Sequence, residues 1–367
     1  MKIGILTYQN AYNYGAKLQE FALFSYIHDY ICNDVVVINY NNTQMINSYL
    51  NNIMSLPKMN KIKEITKRIL FPISYFQSKK RNTYFDNFTK KYIKYTSLIN
   101  RDKMYDMLLD FNKIVIGSDQ VWNYDLNCND DMYFLPMIDC KKKCTYAVSF
   151  GYKEIPNKYF EKTKNNIKTF KRILVRESEG LDILKKLNYN NASVVLDPTF
   201  LLDKETWNAK FCLSKPNKKN YALIYCVERQ TYLINNAKKY CKENNLELKI
   251  IHPNFNKKVV NAKNIYGVSV ESFLELLFNA SAIFTTSYHG LILAINFNIP
   301  VWFELNHNIN RHNSRLESIS NIFDLDSQII NNRNQKLEFN KDWEKINKKI
   351  DELKNFSVSQ LKEIIYE

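Results

Sequence analysis

Lys2-Ile3-Gly4-Ile5-Leu6, then Thr7-Tyr8-Gln9-Asn10-Ala11-Tyr12-Asn13-Tyr14-Gly15, opens the chain with a short apolar run broken by a polar loop that ends in glycine. Leu18, Phe21, Ala22, Phe24 and Tyr26 follow at roughly helical spacing up to Ile31. Val35–Ile38 is then an unbroken β-branched run, the pattern of a strand buried on both faces. Strand, loop, helix and strand make a βαβ unit, and that unit implies a parallel sheet.

Further short apolar runs recur at Ile114–Ile116, Tyr146–Phe150, Ile173–Val175 and Val194–Leu196, with helical patterns between several of them. Residues 44–95 interrupt the alternation and read as a helical insertion. After Leu202 the pattern restarts: strands at Tyr221–Val227, Leu246–Ile251, Ala282–Thr285 and Val301–Phe303, helices at Thr231–Asn244, Glu271–Asn279 and His289–Asn296. Trp343–Tyr366 reads as one long helix. The expected organisation is α/β, with two Rossmann-type parallel-sheet domains at residues 1–203 and 204–340, a C-terminal helix at 341–367 and a cleft between the sheets. Ligands of such sheets sit at the carboxyl ends of the strands, so functional residues are expected just after strands.

Composition narrows the chemistry. The 367 residues suit two domains of roughly 150–200 residues each. No run of about 18 apolar residues occurs, and the first residues lack the apolar stretch of a signal peptide, so the expected location is the cytoplasm. The seven cysteines are scattered, without CxxC or zinc spacing, and read as free thiols. The formal net charge of +15 favours anionic partners. Residues 58–94 hold eleven Lys or Arg against Glu64 and Asp86, interleaved with Phe71, Tyr75, Phe76, Tyr84, Phe85 and Phe88. Such a stretch fits a solvated helical insertion whose aromatics pack on their own domain, or peripheral contact with anionic inner-leaflet lipids. No zinc-finger, RNP-like or helix-turn-helix signature supports nucleic acid. There is no GxGxxG or P-loop. Asp324-Leu325-Asp326 resembles a metal-binding DxD but lies away from a clear strand end, so no metal site is expected.

Four strand ends carry the candidate chemistry. Gly117-Ser118-Asp119-Gln120-Val121-Trp122-Asn123 groups hydroxyl, carboxylate, amides and an indole. Ser118, Gln120 and Asn123 suit sugar hydroxyls and Trp122 a ring face; alternatively Trp122 is core and Asp119 a helix cap. Arg176, ahead of Glu177-Ser178, is a natural carboxylate or phosphate clamp, or else a surface contact of Glu177. Thr286-Ser287-Tyr288-His289-Gly290 puts hydroxyls, a histidine and a glycine at a helix start, an anion site containing a proton carrier. Arg311 and Arg315, beyond Val301–Phe303, offer further anion contacts.

Six of these segments, in this order, resemble the polysaccharide pyruvyltransferase family: Ile3–Tyr8 with Asn13–Gln19, Ile116–Asn123, Tyr146–Gly151, Val175–Gly180, Leu196–Thr199 and Thr285–Gly290. The resemblance implies a GT-B-like pair of domains with the active site between them. It implies phosphoenolpyruvate as co-substrate, a sugar or lipid-linked oligosaccharide as acceptor, a pyruvate ketal as product, and no metal or organic cofactor. Arg176 resembles the family's donor-binding arginine and His289 the histidine close to the donor, the general acid in the expected mechanism. Ser287, Tyr288 and Gly290 then line the donor side. Many relatives carry an arginine or aspartate just before the histidine; here Thr286, Ser287 and Tyr288 stand there, and Arg311 or Arg315 is expected to replace that contact. Asp119 is the expected base, and Asn13, Tyr14 and Gly15 with the Gly117–Asn123 loop are expected to face the acceptor. A nucleotide-sugar glycosyltransferase of the same architecture and a non-catalytic membrane-docking protein are the alternatives.

Overall fold

The computed structural model describes residues 1–44, 72–214, 220–226, 231–252, 258–306 and 313–367. It is α/β with parallel sheets, as expected of a GT-B-like chain. In the first sheet β1 (Ile3–Leu6) pairs in parallel with β2 (Val35–Val37) and β3 (Lys113–Ile116), and β3 pairs with β4 (Lys143–Thr145). All four strands are buried throughout, which explains the apolar runs of β1, β2 and Ile114–Ile116 in β3, whereas β4 buries Lys143 and Thr145 as well. Beyond β4, Val148 forms a parallel bridge to Val175 in β5 (Ile173–Val175), which pairs with β6 (Ala192–Val194). The order 2-1-3-4 reverses direction between β1 and β3, so the switch point of this sheet lies where the Thr7–Asn13 and Gly117–Asn123 loops emerge.

Helix α1 (Tyr14–Tyr30) crosses from β1 to β2. Of the insertion, the described part is α2 (Pro72–Tyr92); residues 45–71, with Lys58–Arg68 and Phe71, lie outside the described residues. Phe85 and Phe88 of α2 are buried against α1, while Lys79, Lys80, Lys90, Lys91 and Lys94 are exposed. Phe85 and Phe88 therefore pack inward, and the described lysines leave a cationic outer face. Helices α3 (Arg101–Leu109), α4 (Asn157–Ile167), α5 (Ser178–Lys186) and α6 (Lys204–Phe211) complete this half.

The second sheet has the order β11-β10-β7-β8-β9, all parallel: β7 (Tyr221–Tyr225), β8 (Glu247–His252), β9 (Lys263–Tyr266), β10 (Ala282–Thr285) and β11 (Val301–Phe303). Its switch point falls between β7 and β10, and β10 runs directly into Thr286–Gly290. Helices α7 (Thr231–Glu243), α8 (Val270–Phe278), α9 (Tyr288–Asn296) and α10 (Ser314–Phe323) flank it. Strand β9 has no counterpart in the sequence reading, because its residues are only partly buried and lack an apolar run.

One apolar cluster runs from β1 and α1 through α8 and α9 to β10, joining the two sheets in a continuous core. Helix α11 (Trp343–Tyr366) returns to the first half: Ser357 Oγ accepts the Leu196 N–H at 2.9 Å, and Arg172 pairs with Glu363 at 2.8 Å. Asp324 caps α10 in the left-handed region and Asp326 accepts from Ser320, so both ends of that DxD have structural work.

Candidate active site

The helix that follows β10 is set by local sequence. Ser287 caps α9, its Oγ accepting the Gly290 N–H at 3.3 Å. A side chain at Gly290 would lie 2.5 Å from Thr285 Oγ1, so only glycine lets the helix start this close to its strand. His289 is thereby held in the first turn of α9. Opposite it, Asn13 caps α1, and a Cβ on Gly15 would lie 2.1 Å from His289 Nδ1. Two helix N-termini, one from each sheet's switch point, therefore meet at one imidazole, and both place partial positive charge there.

Beside them lies a buried charge network. The Arg176 guanidinium is fully enclosed and donates through three nitrogens: Nη1 to Asp197 Oδ2 at 3.0 Å, Nη2 to Asp119 Oδ1 at 3.3 Å and Nε to Glu177 Oε2 at 3.4 Å. Its plane also lies 4.7 Å from the Tyr288 ring centre. Burial acts to lower its pKa, but Tyr288 and the three carboxylates outweigh this and hold Arg176 above its ordinary value. Asp197 accepts from the Thr199 N–H and hydroxyl through Oδ1, and its Oδ2 lies 3.7 Å from His289 Nε2. Burial opposes its ionisation, yet His289, Arg176 and the Thr199 N–H hold its carboxyl well below the usual range. Nε2 of His289 has no hydrogen-bond partner among the described residues. Asp119, with φ of 75°, keeps a small exposed fraction; burial pushes its pKa up, and Arg176, His289 and Arg315 hold it below the ordinary value.

Arg315 differs from Arg176. Its guanidinium lies 5.6 Å from the Tyr288 ring centre and has no carboxylate at ion-pair distance among the described residues. Burial and the nearby Arg176 lower its pKa, with Asp119 and Glu177 acting in the opposite sense. An arginine remains cationic here, so the site holds a positive group available to an anion.

A family model, polysaccharide pyruvyl transferase, matches residues 13–308. The chain belongs to this family. No curated protein sequence matches it. Among solved structures it is similar to the UDP-GlcNAc 2-epimerase from Neisseria meningitidis bound to UDP-GlcNAc, at 11% identity over 100% of this chain and 94% of that one, with a TM-score of 0.48. The S. aureus MnaA–UDP structure matches at 12% identity over 88% and 83%, TM-score 0.49. The E. coli heptosyltransferase WaaC with ADP matches at 9% identity over 84% and 88%, TM-score 0.38.

In this pyruvyl transferase family member, several residues expected to face an acceptor are engaged within the fold. Trp122 is wholly buried: it stacks on Phe134 at 4.8 Å and donates Nε1–H to the Tyr133 carbonyl, so it presents no ring face to a sugar. Tyr14 is buried too, stacked on Phe273 at 4.4 Å with its hydroxyl donating to the Val268 carbonyl at 2.8 Å. It ties the two halves together. Asn123 Oδ1 accepts the Asp125 and Leu126 N–H groups, and Ser118 Oγ accepts the Asp119 N–H, so both shape the loop. Gln120 lies against Gly151 and is partly exposed. Asn13 and Asp119 keep exposed surface, and Gly15 abuts His289. Arg311 lies outside the described residues.

Two groups have no role in the sequence reading. Asp197 stands at a strand end before Pro198, a position the strand-end rule does cover. Arg81 of α2, only 5% exposed, is buried near Tyr14 and Tyr225, and burial lowers its pKa; within so basic a run nothing in sequence sets it apart. No group of three or more His, Cys, Asp or Glu side chains placed to hold a metal occurs among the described residues, and no described helix is long and apolar enough to cross a membrane.

Proposed function

We propose that this family member transfers the pyruvyl group of phosphoenolpyruvate to two hydroxyls of one sugar in a surface polysaccharide or its lipid-linked precursor, as a ketal. The observation that carries this reading is the meeting of His289, whose Nε2 has no hydrogen-bond partner among the described residues, with the α9 N-terminus and Arg315. The donor bears carboxylate and phosphate together, so it requires several positive groups around one proton carrier.

In this mechanism protonated His289 delivers its proton to the methylene carbon of phosphoenolpyruvate, leaving C2 with oxocarbenium character. A sugar hydroxyl adds to C2 and its proton restores His289; the C2–O bond to phosphate breaks; a neighbouring hydroxyl adds and its proton leaves with the phosphate. One phosphoenolpyruvate and two hydroxyls yield one ketal and one inorganic phosphate. Arg315 and the N-terminus of α9 hold the donor's anionic groups. Arg176 acts through Asp119, Glu177 and Asp197, which it fixes in place. Asp119, kept ionised below the usual carboxylate range, accepts a hydrogen bond from the attacking hydroxyl and orients it. The exposed lysines of α2 support an acceptor at an anionic inner-leaflet surface, each worth about 1 kcal/mol of attraction there.

His289→Ala tests the proton transfer. Positioned acid–base groups typically contribute ~10²–10⁴-fold, so turnover falls in that range while circular dichroism is unchanged. Wild-type turnover in this variant would remove His289 from the mechanism.

A further inference from the structure

A separate cavity of about 450 Å³ opens in the first half, between the loop after β1, Asn39 beyond β2, and the end of helix α2 with Ile93 and Tyr95 after it. Its position relative to the reaction centre follows from helix geometry. Gly15 faces His289, whereas Lys17, two residues on and roughly 200° around α1, lines this cavity. The cavity is therefore on the far side of α1 from the imidazole, about one helix diameter or ~10 Å away.

The lining has the chemistry of a sugar site. Lys17 donates to Glu20 Oε2 at 3.0 Å and to the Gln9 carbonyl, and Tyr95 donates to Glu20, so the floor is a closed ion pair with no net charge. At the wall Asp86, hydrogen-bonded to Tyr12, is offset by Lys90. The charges balance, which disfavours a phosphate or nucleotide. Asn10, Asn39 and Thr89 supply planar amides and a hydroxyl, and Tyr12 and Tyr95 supply ring surface. Gln9 is 2% exposed, and its Oε1 has no hydrogen-bond partner among the described residues.

We propose that this cavity binds a neutral sugar unit of the acceptor, distal to the unit that receives the pyruvyl group. The acceptor is then an oligosaccharide that crosses the N-terminus of α1 past Asn10 and Asn13. The distal role rests on the pyruvyl-transfer reading; the sugar site itself does not.

Saturation-transfer NMR with cellobiose, lactose and N,N′-diacetylchitobiose, and inorganic phosphate as the anionic control, tests it. At least one disaccharide receives saturation, and neither phosphate nor phosphoenolpyruvate displaces it. Asn39→Trp fills the cavity from a residue whose side chain makes no hydrogen bond among the described residues, and weakens that binding at least tenfold while the phosphoenolpyruvate titration stays unchanged. The exposed Asp86→Ala gives a second variant with the same expectation should Asn39→Trp not fold. No transfer to any of the three sugars, displacement by phosphate, or equal binding in both variants overturns the site. Sugar binding lost in Asn39→Trp, in a protein whose wild type never binds phosphoenolpyruvate, leaves the sugar site standing and overturns its distal-acceptor role together with the donor reading.

Discussion

Gly15→Ala is the sharpest probe of how the reaction centre is built. The added Cβ would lie 2.1 Å from His289 Nδ1, 2.4 Å from Cγ and 2.8 Å from Cβ, against 3.4 Å for ordinary contact. The two helices must separate, or the imidazole must move, by about 1.3 Å. Neither yields easily. Gly290 leaves no slack between α9 and Thr285, and Tyr14, next to Gly15, is stacked on Phe273 and hydrogen-bonded to Val268. Overpacking of this kind costs about 1–3 kcal/mol of stability, and a catalytic group displaced by ~1 Å typically loses ~10²-fold in rate. The variant should stay folded, with a lower melting temperature and kcat down by roughly two orders of magnitude. Thermal denaturation and phosphate release measured side by side give both numbers. A variant that turns over at the wild-type rate would refute the close apposition of α1 and α9, and with it the placement of His289 at the centre.

Other outcomes follow from the same geometry. Arg315→Ala removes a cation that has no carboxylate at ion-pair distance among the described residues, so phosphoenolpyruvate binding weakens by about 1.5–3 kcal/mol, read by calorimetry, with little change in melting temperature. Trp122→Ala opens a core cavity costing about 3–5 kcal/mol on chemical denaturation without altering the donor affinity of the folded protein. Asp119 and Asp197 are both held below the ordinary carboxylate value of 3.8, so the native state binds fewer protons than the unfolded chain. Their contribution is present above that value and lost as pH falls below it; stability declines into acid, and Asp197→Asn flattens the decline. Reversing Lys79, Lys80, Lys90, Lys91 and Lys94 to glutamate should abolish sedimentation with phosphatidylserine vesicles at low salt, whereas unaltered sedimentation would locate any lipid contact elsewhere.

Much of the fold was legible because parallel strands buried on both faces write themselves as short apolar runs. Ala282–Thr285, Val301–Phe303 and Trp343–Tyr366 coincide with their elements, and Lys2–Leu6 differs by a residue. The run Tyr146–Phe150 misleads: the ladder residues are Lys143–Thr145, and Lys143 enters the core by donating its ammonium to the Phe134 and Leu135 carbonyls. The strand-end rule points to Arg176 and His289, which do stand just after β5 and β10, but not to how enclosed Arg176 is, since enclosure depends on Asp119 and Asp197 arriving from other strands. An aromatic beside polar residues reads alike as platform or as core, so sequence leaves Trp122 between the two and sets Tyr14 toward the acceptor. Only the partners of the indole N–H and the phenol O–H separate the two.

The roles proposed for His289 and Arg315 require a donor site for phosphoenolpyruvate between the two sheets. Calorimetric titration with phosphoenolpyruvate, with UDP as the control ligand, tests it most directly. Saturable binding of phosphoenolpyruvate alone, weakened in Arg315→Ala, is the predicted result; binding of UDP alone, or of neither ligand, would contradict it.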